Sequence, residues 1–148
     1  TLVDGPVIDP AVVARAVAAA AADYGINLLA YDRWRIHDFQ RELEAIGAQV
    51  AMTPFGQGFK DMAPAVDKLE RLVAERKLRH GGNPILNMCA ANAVADRDPA
   101  GNRKLNKKNS VGKIDGLVAL AMALGAEGQD EEIVPTSPWD DESFRLLT

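Results

Sequence analysis

Two aspartates and a run of lysines and arginines are the residues of this 148-residue chain best suited by type and spacing to chemistry. Asp32 directly follows the short apolar run INLLAY, residues 26–31. That places it at the C-terminal end of a predicted strand, where open α/β sheets put their ligands. Asp115 is the one charged residue between Ile114 and Ala126, a carboxylate one turn into a helix that should be buried. Just upstream of it lie Arg103, Lys104, Lys107, Lys108 and Lys113. Carboxylate oxygens suit hard cations, and a pair of such ions about 4 Å apart activates an attacking water and stabilises a leaving oxygen. Lysines and arginines beside them would hold a phosphate backbone. The candidate chemistry is therefore phosphodiester hydrolysis with Mg²⁺ or Mn²⁺: Asp32 and Asp115 are the metal-binding and catalytic candidates, and the five basic residues are the DNA-binding candidates.

Each residue also has an ordinary structural reading, which the sequence leaves open. An aspartate in the first turn of a helix is favoured by the helix dipole whatever else it does. Asp32 could serve only to start the next helix, because Asp is a good N-cap. A basic stretch is commonly a solvated hairpin. Trp34 suits packing better than base stacking, and His37 and His80 suit structural or solvent-facing positions better than metal ligation.

Composition narrows the field. At this length one domain is expected, with about two-thirds of the unfolded surface buried. The single cysteine, Cys89, excludes an internal disulfide framework. The N-terminus lacks a signal-peptide layout, and no apolar run approaches the roughly 20 residues of a membrane span, so an intracellular protein without a membrane partner is expected. There is no G-x-x-x-x-G-K-[ST] loop, no G-x-S-x-G elbow and no ligand set for a structural zinc. The net charge of −4 is unevenly spread. Residues 97–113 carry six basic residues against Asp98, a local +5 that leaves −9 for the rest. Much of the acid follows Ala126, where Glu127, Asp130, Glu131, Glu132, Asp140, Asp141 and Glu142 accompany Pro135 and Pro138. Residues 1–126 are thus expected to form the folded domain and 127–148 an exposed, poorly ordered acidic tail.

The elements that must position these groups alternate between helix and strand. Asp9 and Pro10 form an N-cap and first-turn pair before an alanine-rich helix that Gly25 ends. INLLAYD reads as a fully buried strand of a parallel sheet. Ile36, Phe39, Leu43 and Ile46 fall at helical steps, with Gly47 as the stop. AQVAMT reads as a second strand, and Lys60 to Lys77 as a helix with Met62, Val66, Leu69, Leu72 and Val73 inward and Pro64 in the first turn. Two strands joined through a helix imply a right-handed crossover and an α/β arrangement. NPILNMCAANA starts as a short helix. AVADRDPAGNRKLNK reads as a hairpin turning at residues 99–102, and a helix from about Ser110 to Gly125 closes the fold.

YDRW at 31–34, RHGGNP at 79–84 and NKKNSVGKIDGLVALAMA at 106–123, in that order and approximate spacing, resemble the nuclease half of tailed-phage terminase large subunits. The likeness spans Gly5 to Ala126. It implies a ribonuclease H-like fold, parallel strands flanked by helices with the basic β-hairpin added, and a two-metal carboxylate site that cuts concatemeric DNA during genome packaging. By the same resemblance Asp32 matches the metal-binding aspartate after the central strand, and Asp115 the one on the final helix. The family's first metal-binding aspartate lies on the first strand of an antiparallel meander, and this chain begins at TLVDGPVIDP, which resembles the segment after it. The fold and the site are therefore expected to be incomplete, with Asp4 and Asp9 the only carboxylates nearby. Endonuclease activity is expected to need the first ligand supplied. The alternative is a remnant that binds DNA or a packaging partner without cutting. Double-stranded DNA, a phage portal or small terminase subunit, self-association through an exposed strand edge, and the cytoplasm of a bacterial host complete the expectations.

Overall fold

A computed structural model describes residues 8–33 and 36–127. Trp34, Asp4 and nearly all of the expected acidic tail lie outside the described residues. The elements are α1 (Pro10–Tyr24), β1 (Leu29–Tyr31), α2 (Ile36–Ala45), β2 (Met52–Pro54), α3 (Phe59–Ala74), α4 (Pro84–Asn92), β3 (Ala95–Arg97), β4 (Arg103–Leu105) and α5 (Asp115–Ala126). Helix ends follow the local chemistry. Asp9 Oδ1 accepts from the Ala11 amide at 2.9 Å and Pro10 takes the first helical position, where its missing N–H costs nothing. Gly25, at φ 63°, ends α1 in the left-handed conformation that a side chain would disfavour. Asn83 caps α4 in the same way as Asp9 caps α1, accepting from Ile85 and Leu86.

β1 and β2 pair in parallel with Leu29 opposite Met52 and Tyr31 opposite Pro54, α2 supplying the crossover. β3 and β4 form the expected antiparallel hairpin. Its turn is closed by Asp98, which accepts from the Asn102 amide at 2.8 Å and from the Asn102 side chain at 2.9 Å, with Gly101 at φ 85°. α1 packs on α2, α3 on α5 and β4, and α5 also on α4 and β1.

The core lies between α3, α5 and the sheet. Phe55, Met62 and Ile114 are its largest fully buried side chains, joined by Val66, Leu69, Val118 and Met122, with Leu28 and Ala30 packed against them. Each large apolar side chain buried here stabilises by about 1.5–3 kcal/mol. Gly125 is required by close approach: a Cβ there would come within 2.5 Å of Phe55 Cζ and 2.9 Å of Ala65 Cβ.

Several expectations change. Val73, expected on the inner face of α3, is 57% exposed next to the helix's last residue. β1 is three residues long and half-buried rather than fully buried, because among the described residues it pairs on one edge only. Pro64 sits at the sixth position of α3, since the helix starts at Phe59, and it is exposed where its ring meets solvent. α5 starts at Asp115, not near Ser110: residues 106–110 are bent into a turn by Asn106, whose Oδ1 accepts from the amides of Lys108 and Asn109 at 2.8 and 3.1 Å. Asp115 is thus the first residue of the helix, not a residue one turn inside it.

Candidate active site

Asp32 is the first residue past β1. The parallel ladder continues one step beyond the strands, with the Phe55 amide donating to the Tyr31 carbonyl at 2.8 Å, so the ends of β1 and β2 are held together. The Phe55 side chain, 1% exposed, anchors the loop 55–58 that follows β2. From that loop Gln57 Nε2 donates to Asp32 Oδ2 at 2.8 Å. Gly56 faces the Asp61 carboxylate at the start of α3 so closely that a Cβ would collide with it. Asp32 itself is exposed.

Asp115 opens α5 behind Ile114, which is buried and offers no capping side chain. A carboxylate in this first turn faces the unpaired amides of the helix, a favourable place for negative charge. Lys107, presented by the Asn106 turn, places its Nζ 3.0 Å from Asp115 Oδ1. The hydrogen bond from Lys107 holds the Asp115 carboxyl below its ordinary value against the opposing effect of burial, and the charges of Lys107 and Lys113 also lower it. The carboxylate stays 66% exposed and open to a further ligand.

The five basic candidates occupy different environments. Arg103 donates from Nη1 to Glu70 and from Nη2 to Asp67, each at 2.6 Å, and its side chain is 23% exposed. Its guanidinium ties the hairpin to α3. Lys104 lies over the Phe59 ring, 4.7 Å from its centroid, an arrangement that anchors an ammonium while leaving its other side open. Lys107 is on Asp115, Lys108 is exposed within the turn and Lys113 is exposed after it. The basic segment is therefore part structural tether and part open cation surface.

β1, which Asp32 follows, is in contact with α5, which Asp115 opens. Both carboxylates offer only oxygen donors, which fits Mg²⁺ or Mn²⁺, ions that keep water and phosphate oxygens among their ligands. Among the described residues no three His, Cys, Asp or Glu side chains cluster as a metal site. Sequence reasoning passed over Gln57. The available signal was a single polar residue between Gly56 and Gly58 just after a strand, a weak one without the pairing that brings it to Asp32.

Comparison with known proteins adds a separate line. Residues 1–131 match the family described as terminase large subunit, endonuclease domain. The large terminase subunit of Enterobacteria phage HK97 is 44% identical over 144 residues, 97% of this chain and 28% of that protein. Protein YmfN of Escherichia coli K12 is 34% identical over 71 residues, 47% of this chain and 16% of that protein. The chain thus spans well under a third of the length of these relatives. The crystal structure of the HK97 large terminase superposes with a TM-score of 0.78 at 48% identity, over 82% of this chain and 26% of that one. The large terminase nuclease of the thermophilic phage G20c superposes with a TM-score of 0.61 at 19% identity, over 82% of this chain and 63% of that one, a likeness of fold. The parallel strands with flanking helices are accordingly part of a ribonuclease H-like fold, and the chain belongs to the terminase large subunit endonuclease-domain family.

Proposed function

We propose that this chain acts in a phage or prophage DNA-packaging terminase as a metal-dependent endonuclease domain that cuts concatemeric double-stranded DNA. The observation that carries this reading is an exposed carboxylate just past β1 and another at the start of α5, a helix in contact with β1, the second of them beside a turn that presents lysines. Asp32 and Asp115 would hold Mg²⁺ or Mn²⁺. Such an ion supplies an activated water and neutralises charge on the leaving oxygen. Lys104, Lys107, Lys108 and Lys113 would hold the backbone phosphates, with Arg103 fixing the hairpin that carries them. Residues 1–126 would form the nuclease unit and 127–148 an acidic tail. A portal or small terminase subunit would be the protein partner, in the cytoplasm of a bacterial host. Among the described residues no helix is long and apolar enough to cross a membrane.

The test is nicking of supercoiled plasmid with Mn²⁺ by the wild type, Asp32→Asn and Asp115→Asn. Cutting by the wild type that both variants lose supports the reading. Cutting that survives in both removes these residues from the site. A second reading, DNA binding without cutting, is favoured by the lack, among the described residues, of any cluster of three metal-ligating side chains. It predicts salt-sensitive DNA binding by a wild type that leaves plasmid intact.

A further inference from the structure

Like charges crowd the segment after β4, where Lys107 and Lys108 are consecutive and Lys104 and Lys113 flank them. Their repulsion opposes a tight turn, yet residues 106–110 form one. What holds it is a neutral side chain, the half-buried Asn106 just past β4. The Asn106 amide donates to the Val94 carbonyl at 2.8 Å, which carries the hairpin ladder one step beyond the paired strands. The Asn106 carbonyl accepts from the Ser110 hydroxyl at 2.7 Å, and Ser110 Oγ accepts from the Val94 amide at 3.3 Å, so the turn closes back onto the hairpin. The side-chain amide makes the remaining bonds. Its Oδ1 accepts from the Lys108 and Asn109 amides, and its Nδ2 donates to Asp96 Oδ2 on β3. The assignment of oxygen and nitrogen follows from the partners, since backbone N–H groups only donate and an ionised carboxylate only accepts. One rigid planar group therefore grips the lysine turn with one atom and the opposite strand with the other. An ammonium on a loose turn would have to be ordered when a phosphate binds, and one on a turn already fixed loses less.

We propose that Asn106, through its bond to Asp96, is a positioning residue for DNA: it fixes the turn that presents Lys107 and Lys108 to a backbone phosphate. This rests on the reading of these lysines as phosphate-binding groups. Asn106 acts through them and touches no phosphate in this scheme. Lys107 bonds Asp115 with one of its three N–H groups, which leaves the others for a phosphate oxygen, and Lys108 is exposed.

The experiment measures binding of the 148-residue chain to a labelled DNA duplex by fluorescence anisotropy at one low salt concentration. The proteins compared are the wild type, Asn106→Ala, the pair Lys107→Ala and Lys108→Ala, and all three changes together, which form a double-mutant cycle. Asn106→Ala leaves every charge in place and is expected to weaken binding about tenfold, the cost of ordering two long side chains on contact. In the chain that already lacks both lysines the same change should cost nothing measurable. Unchanged affinity in folded Asn106→Ala would overturn the proposal. So would an equal loss with and without the lysines, which is what an asparagine that only supports the fold produces. Should Asn106→Ala fail to fold, the pair is exchanged instead. Asn106→Asp sets two carboxylates face to face and should weaken binding. Adding Asp96→Asn restores one donor, one acceptor and the wild-type net charge, and should recover the affinity; failure to recover it would overturn the proposal too. If the wild type binds no duplex, or loss of both lysines leaves binding unchanged, the phosphate-binding reading falls and this proposal with it. If the lysine variant loses affinity and folded Asn106→Ala does not, the positioning role alone is wrong.

Discussion

The Lys107 ammonium and the Asp115 carboxylate meet in the open, 48% and 66% exposed, and such pairs are worth about 0.2–1 kcal/mol. Their interest is in what they do to the titration of Asp115. Its pKa is lower in the folded chain than the ordinary 3.8, chiefly through the Lys107 hydrogen bond. A depressed carboxylate contributes stability above its unfolded pKa and loses it as pH falls through the folded value. Lys107→Ala should therefore raise the Asp115 pKa back toward 3.8, while Lys113→Ala should raise it less because only charge at a distance is lost. Carboxyl ¹³C titration by NMR reads both shifts, and an unmoved pKa in Lys107→Ala would show that the pair does not persist in solution. At this scale the sequence was partly legible. Asp32 and Asp115 stand out because each is a carboxylate in an apolar context at the edge of an element. Gln57 and the Asp67–Arg103–Glu70 tether do not, because their partners lie 25 to 36 residues away and only packing brings them together.

The elements with strong local signals were readable: α1 between Asp9 and Gly25, α4 behind Asn83, and the hairpin turn at Asp98 and Gly101. The strands were not readable in extent. Three-residue β1 and β2 carry too few positions for a period to appear, and their burial depends on what covers them. The start of α5 was misplaced because the Asn106 turn competes for residues that have acceptable helical composition. Two predictions belong here. Gly125→Ala improves helix propensity by roughly 0.5–1 kcal/mol but drives a methyl into the Phe55 ring, an overpacking that costs about 1–3 kcal/mol. A lower thermal midpoint is expected, and a raised one would mean that Phe55 moves aside freely. Among the described residues β1 and β2 each have an unpaired edge, and Tyr24, Ile26 and Ile46 are exposed near their ends. Unpaired edges invite pairing with a second chain, so the 148-residue chain should show concentration-dependent association in sedimentation. A monodisperse monomer across micromolar to millimolar concentrations would mean that these edges are protected.

For the molecule as a whole, a net charge of −4 argues against DNA affinity, and the +5 concentrated in residues 97–113 argues for it. The structure divides that local charge by employment. Arg103 is held by two carboxylates of α3, so its guanidinium is already neutralised, whereas Lys104, Lys107 and Lys108 sit at or beside the Asn106 turn with their ammonium groups within reach of solvent. Each cation that contacts a phosphate releases counterions and steepens the fall of log affinity with log salt by about 0.9. Replacing Lys104, Lys107 and Lys108 by alanine should therefore flatten that slope by up to about 2.7 if all three make contact. Arg103→Ala should lower the thermal midpoint, because Asp67 and Glu70 lose their shared partner, and should leave the slope nearly unchanged. Asp115→Asn, which removes a negative charge beside the lysines, should hold or raise binding while any Mn²⁺-dependent cutting disappears. The decisive comparison is fluorescence anisotropy of a labelled duplex across a salt series. An Arg103→Ala slope as flat as that of the triple variant would show that the hairpin gives up its tether to α3 when DNA arrives, and that the guanidinium belongs to the binding surface.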